Sequence, residues 1–179
     1  MPAYRAPRAG AAVSDESPDR AERLGRGAIE RSAFLRRSIL IAKLHGLRVT
    51  GADLHYEGSI ALDPDFCELV GLMPLEFVEV WNKNTGARIT TYVIHGERGG
   101  RGCVLNGAAA RTCQVGDEII IAARADVELD ELASIRPRVA IFDEQNRLKQ
   151  IRELVYRRDP SGRWSIADEN PAPLRASNR

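Results

Sequence analysis

Large apolar residues are sparse over positions 1–33 and then recur, from Phe34 onward, in short runs that mostly alternate with polar residues. Phe34 to His45 collects apolar and β-branched residues and predicts a first strand closed by a turn at Gly46. Leu47 and Val49 alternate with Arg48 and Thr50, the period of a half-buried strand ending at Gly51. After a polar stretch, Ile60 to Leu62 is apolar again. Asp63 as N-cap, Pro64 at the first helical position, the apolar set Phe66, Leu69 and Val70, and Gly71 as a stop then predict a short helix. Leu75 to Trp81 puts Phe77, Glu79 and Trp81 on one strand face and Val78 and Val80 on the other. The turn Asn82–Gly86 and the β-branched run Arg88 to Ile94 complete a hairpin. Cys103 to Leu105 reads as a short buried strand, and Asn106 to Ala110 as a turn into a small-residue helix that Gly116 ends. Glu118 to Ala122 reads as the most central strand, and Arg138 to Phe142 with Leu148 to Tyr156 as a hairpin or strand–helix pair around Asp143–Asn146.

Many short strands, tight turns and brief helices predict a mainly β fold, a small barrel rather than an alternating α/β sheet. The expected organisation is an N-terminal extension over 1–33, a folded domain over 34–150, and a largely flexible C-terminal extension over 151–179. Within the last of these, Trp164 and Ile166 can anchor part of the chain. Lys and Arg total 26 against 25 Asp and Glu, so no net field argues for nucleic acid or an anionic membrane as partner. Cys67, Cys103 and Cys113 lack metal-site or redox spacing and read as small buried hydrophobes in a reducing cytoplasm. No run approaches a membrane span, and no metal is assigned to His45, His55 or His95.

The chemistry concentrates at Gly58–Ser59. Glycine enters backbone conformations closed to other residues, and serine places a hydroxyl one residue beyond its carbonyl. If the fold bends this junction, the Ser59 hydroxyl can attack the Gly58 carbonyl carbon and convert the amide to an ester. Elimination across the α and β carbons of Ser59 would cut the chain, and hydrolysis of the dehydroalanine would leave a pyruvoyl group. Alone, Gly-Ser is an ordinary turn dipeptide.

Its neighbours change that reading. ADLHYEGS (Ala52–Ser59), EVWN (Glu79–Asn82), TGARITTY (Thr85–Tyr92), GERG (Gly96–Gly99), LNGAAAR (Leu105–Arg111) and VGDEIIIA (Val115–Ala122) resemble, in order and spacing, the successive motifs of the bacterial aspartate 1-decarboxylase family. The resemblance covers Phe34 to Lys149. It implies a double-psi β-barrel in a homotetramer with intersubunit active sites. It further implies self-cleavage at Gly58–Ser59 and removal of the α-carboxylate of L-aspartate, giving β-alanine for pantothenate and coenzyme A. The cofactor implied is a covalent pyruvoyl group from Ser59, acting through a Schiff base, with no metal and no pyridoxal phosphate.

The same resemblance implies roles residue by residue. Ser59 and Tyr92 are catalytic, Tyr92 as proton donor. Gly58, Ser59, Thr91 and Tyr56 serve self-processing, Thr91 by hydrogen bonding to the oxyanion formed at Gly58. Lys43, Arg88, Thr91, Gly107, Ala108 and Ala109 bind substrate, Arg88 as a bidentate carboxylate anchor. Asn106 and Trp81 give structural support. Gly46 stands where many relatives carry a basic residue, and the extensions have no counterpart in compact members, which leaves room for an accessory maturation factor. Two other functions fit parts of the chain: a non-catalytic barrel serving as an interaction module, and a pyruvoyl decarboxylase of another acidic amino acid, excluded only by pocket size.

Overall fold

The computed structural model describes residues 36–169, and the extension expected over 1–33 lies outside the described residues. The elements are β1 (Arg37–Arg48), β2 (Gly51–Asp53), β3 (Ser59–Leu62), α1 (Pro64–Val70), β4 (Phe77–Asn82), β5 (Arg88–His95), β6 (Cys103–Asn106), β7 (Glu118–Val127), β8 (Arg138–Phe142), β9 (Leu148–Arg158) and β10 (Trp164–Glu169). Hydrogen bonding joins the strands in the order β10-β9-β8-β1-β7-β4-β5-β3-β6-β2. The fold is mainly β, as expected, and this order is consistent with a small barrel. Leu44, Leu47, Ile60, Leu62, Val78, Val80, Val93, Leu105, Ile119 and Ile121 are buried and form one continuous core.

β1 differs from its expected form. It is one 12-residue strand, not two strands about a turn. Gly46, with φ 84°, is an extra residue between His45, opposite Ile120, and Leu47, opposite Ile119. This bulge resets the alternation so that Leu44 and Leu47, three apart, both point into the core. A glycine after an apolar run signals either a turn or a bulge, and here the partner strand β7 decides for the bulge. β7 is central as predicted, lying antiparallel to both β1 and β4.

The small-residue run after Asn106 also forms less helix than predicted: a 3-10 turn over Gly107–Arg111, closed at Thr112. Beyond residue 150 the expectation of a largely flexible extension is corrected. β9 continues to Arg158, and β10 pairs with it from Trp164 to Glu169. The stabilising contacts lie across the strands, not in an apolar run. Ion pairs join Arg138 to Glu153 (2.8 Å), Arg152 to Asp168 (2.6 Å) and Arg157 to Glu169 (2.7 Å), and the Tyr156 and Trp164 rings meet edge to face at 6.5 Å.

α1 forms as its caps predict, with Gly71 in the left-handed conformation at its end. Its N-cap does more than cap. Asp63 is 1% exposed and accepts hydrogen bonds from the backbone N–H groups of Asp65 (3.0 Å), Gly99 (3.1 Å) and Arg101 (2.7 Å). One buried carboxylate thus ties the loop of residues 96–102 to the helix start. Asp63→Ala should lower the unfolding free energy by roughly 2–3 kcal/mol, measured by denaturant titration.

On β1, burial lowers the pKa of His45, the cations Lys43 and Lys83 lower it further, and Glu118 opposes them. The unfolded chain therefore takes up this proton more readily than the folded one. Stability from this group is complete above the ordinary histidine pKa and is lost as pH falls below it. His45→Gln should flatten the decline in thermal midpoint between about pH 7 and pH 5.

Candidate active site at the Gly58–Ser59 junction

β6 is flanked on both sides by the segments that lead into and out of the junction. β2 runs parallel to it with Asp53 opposite Asn106, and β3 runs antiparallel with Ser59 opposite the same Asn106. Residues 54–58 must therefore arch over the end of β6 to pass from one side to the other. The arch bends sharply at the junction: Gly58 has φ 103° and Ser59 has φ 147°. A side-chain-bearing residue rarely adopts such a value, and holding it there stores roughly 1–3 kcal/mol.

Ser59 is 1% exposed, and the Asn106 side-chain amide donates to its Oγ at 2.8 Å. The Tyr92 hydroxyl donates to the Gly58 carbonyl oxygen at 2.9 Å. The Ser59 hydroxyl and the Gly58 carbonyl are thus each held by a separate strand, β6 and β5. A cavity of about 370 Å³ opens beside them, lined by Gly58, Ser59, Ile89, Thr90, Thr91, Tyr92, Asn106, Ala108, Ala109 and Thr112.

Of the residues singled out in the sequence, Gly58, Ser59, Thr91, Tyr92, Asn106, Ala108 and Ala109 come together on this cavity. Gly107 is buried directly beneath the backbone of Tyr56 and Gly58. Tyr56, on the arch, is half exposed. Lys43, Trp81 and Arg88 do not line the cavity. Arg88 stands opposite Trp81 on β4 and lies over its ring at 4.9 Å, so Trp81 holds the guanidinium in place. Lys43 pairs with Ala122, which pairs in turn with Glu79, opposite Thr90. Directly opposed residues share a face, so Lys43, Arg88 and Tyr92 all belong to one side of the sheet. Lys43 is nevertheless three strands from Tyr92, about 14 Å along the sheet.

Ile89, Thr90 and Thr112 also line the cavity, though the sequence did not single them out. Thr112 left no signal in the sequence: it is placed by the buried Asn82, whose amide donates to the Thr112 main-chain carbonyl at 3.0 Å and to Asp117 at 2.7 Å. A second cavity of about 370 Å³, near Arg48, Glu118, Asp143 and Lys149, offers no nucleophile, and its Arg48 and Glu118 are paired at 3.4 Å. Burial also raises the Cys103 thiol and pushes Cys67 up to about 12, which leaves both thiols protonated and unreactive at neutral pH. Among the described residues no three or more His, Cys, Asp or Glu side chains gather to hold a metal, and no helix is long and apolar enough to cross a membrane.

Comparison with known proteins converges on one family. Residues 35–149 match the family described as aspartate decarboxylase. A protein of Xanthobacter autotrophicus named aspartate 1-decarboxylase is 57% identical over 145 residues, covering 78% of this chain and 97% of its own length. Proteins of the same name from Beijerinckia indica (53% over 149 residues; 80% and 99%) and Methylobacterium nodulans (56% over 138 residues; 77% and 91%) are similarly close. With a family match over most of its length and relatives covered almost end to end, the chain belongs to the aspartate decarboxylase family.

Proposed function

We propose that this chain cuts itself between Gly58 and Ser59 and then decarboxylates L-aspartate to β-alanine and carbon dioxide. The observation that carries the reading is the junction itself, a buried, strained serine whose hydroxyl is held by Asn106 beside a glycine carbonyl held by Tyr92, open to a small cavity. In the first step the Ser59 Oγ–carbon bond forms as the Gly58–Ser59 amide bond breaks, and the proton of the hydroxyl passes to the released amine. Loss of the Ser59 α-proton then expels the Gly58 carboxylate. Water finally replaces the nitrogen of the dehydroalanine, releasing ammonia and leaving a ketone at position 59. Relief of the φ strain at Ser59 favours leaving the intact chain.

The surrounding residues suit such a ketone. The site is buried, small side chains at Ala108 and Ala109 leave room for a substrate, and the hydroxyl of Tyr92 remains next to position 59. The pyruvoyl group supplies an electron sink for cleavage of the bond between the substrate α-carbon and its carboxylate. Tyr92 is the proton donor to that carbon, and Thr91, on the same cavity, assists the oxyanion during self-cleavage. Backbone N–H groups at Gly107, Ala108 and Ala109 receive a substrate carboxylate.

Lys43 and Arg88, the cations for a dicarboxylate, lie off the cavity within one copy. A homotetramer with active sites between subunits would bring such cations to it. Exposed Met73 (65%), Leu75 (69%) and Phe77 (69%) support that assembly, and the Phe77 ring meets the Tyr92 ring at 6.1 Å. The three buried free cysteines suit a cytoplasmic setting.

Intact mass tests the first step: fragments Met1–Gly58 and an amino-blocked 59–179 are expected. A single chain surviving prolonged warm incubation would exclude unaided maturation and point to an accessory factor. Ser59→Ala should abolish cleavage and β-alanine formation together. Tyr92→Phe should still be cleaved, within about tenfold of the normal rate, because a neutral ground-state hydrogen bond contributes only about 1 kcal/mol. Its turnover should fall by about 10²- to 10⁴-fold; unchanged turnover would move the proton donor to Tyr56.

A further inference from the structure

Resting on the self-cleavage reading, we infer that Gly107 is a positioning residue for maturation: its missing side chain is the space that lets residues 56–58 arch into their reactive bend. The residues on either side of it already have their tasks, Asn106 on the Ser59 hydroxyl and Ala108 on the cavity wall. Gly107 lies where the arch crosses the end of β6. A Cβ placed there would meet the Gly58 Cα at 2.8 Å, the Gly58 nitrogen at 2.9 Å and the Tyr56 carbonyl oxygen at 3.0 Å. All are backbone atoms, so no side-chain rotation relieves the contact, and the arch itself must lift. Ser59 cannot follow freely, because Ile60 is paired with Leu105 and Val93, and Oγ is tied to Asn106. The displacement falls on Gly58, and therefore on the distance and angle between its carbonyl carbon and the attacking oxygen. A shift of about 1 Å in such a geometry is enough to slow a reaction about 100-fold.

Gly107 also has φ 62°, so two demands are superposed there, and other positions separate them. Gly99 has φ 76°, and a Cβ on it would meet nothing within 4 Å. Alanine at Gly99 carries backbone strain alone. Asparagine accepts φ near +60° far better than alanine, so asparagine at Gly107 keeps the contact while relieving most of the strain. The requirement belongs to the uncut chain: once Gly58 is a free chain end, it can move off the Cβ position.

The test follows cleavage of the full chain by intact mass during warm incubation, for the unaltered protein, Gly99→Ala, Gly107→Ala and Gly107→Asn, each with and without hydroxylamine, which intercepts an ester at Gly58. Circular dichroism and gel filtration report folding. Both Gly107 variants should cleave at least about 100-fold more slowly than Gly99→Ala while remaining folded, and hydroxylamine should not restore cutting, because the ester never forms. If Gly107→Ala does not fold, Gly107→Asn decides. The inference is overturned if Gly107→Asn cleaves within tenfold of the unaltered chain, if Gly99→Ala is slowed equally, or if hydroxylamine releases the fragments at the normal rate. Failure of the unaltered chain to cleave would overturn the self-cleavage reading first, and the inference with it.

Discussion

Asn106 ends a strand that is paired on both sides by parts of the chain only a few residues apart, and this crossing is the constraint on which the rest of the site depends. Asp53 and Ser59 face the same residue from opposite flanks, so the intervening backbone has no relaxed route between them. Gly58 takes up the bend freely, and the positive φ at Ser59 is where the tension of that route collects. Burial of Ile60, Leu62 and Leu105 on either side prevents it from relaxing by unzipping β3 from β6. The hydrophobic core therefore sustains a local distortion that isolated residues of the same sequence would shed.

Buried polar side chains keep the loops around this crossing in place. Asn82 joins the β4–β5 turn to Thr112 and Asp117. Asn146 accepts from the Arg48 N–H at 2.7 Å and donates to the carbonyls of Arg48 and Arg101, clipping the β8–β9 turn to β1. Asp63 does the same for residues 96–102. No buried side-chain nitrogen or oxygen among the described residues lacks a hydrogen-bond partner, so the hydrogen bonds of these clips offset the cost of taking their polar groups out of water.

Much of this was legible from residues alone. Alternating burial along Phe77–Asn82, the caps of α1 and the centrality of β7 followed from period and capping chemistry, because those signals are local. Gly46 was misread because a glycine's role in a strand depends on its neighbour's register. The pairing of β10 with β9 was missed because charge pairs across strands leave no apolar run. At the site, Gly58, Ser59 and Tyr92 were legible as motif members, but the hydrogen bond from Tyr92 to Gly58 required β5 to lie beside β3. The buried contact beneath Gly58 left no trace in composition, since a glycine chosen for absence of volume looks the same as one chosen for a turn.

The place of β1 gives the cut a mechanical meaning. Severing the chain between positions 58 and 59 would put β1 and β2 on one piece and every later strand on the other. Yet β1 lies between β7 and β8, hydrogen-bonded to both. The two pieces would stay interlocked as warp and weft, and neither could leave without tearing the sheet. Folding would have to come before cutting, and a matured molecule that unravelled would face reassembly from separate polypeptides instead of refolding from one. Activation of this kind is a ratchet: the fold is used once, as a tool acting on itself, and then held together only by the pairing that made the cut possible.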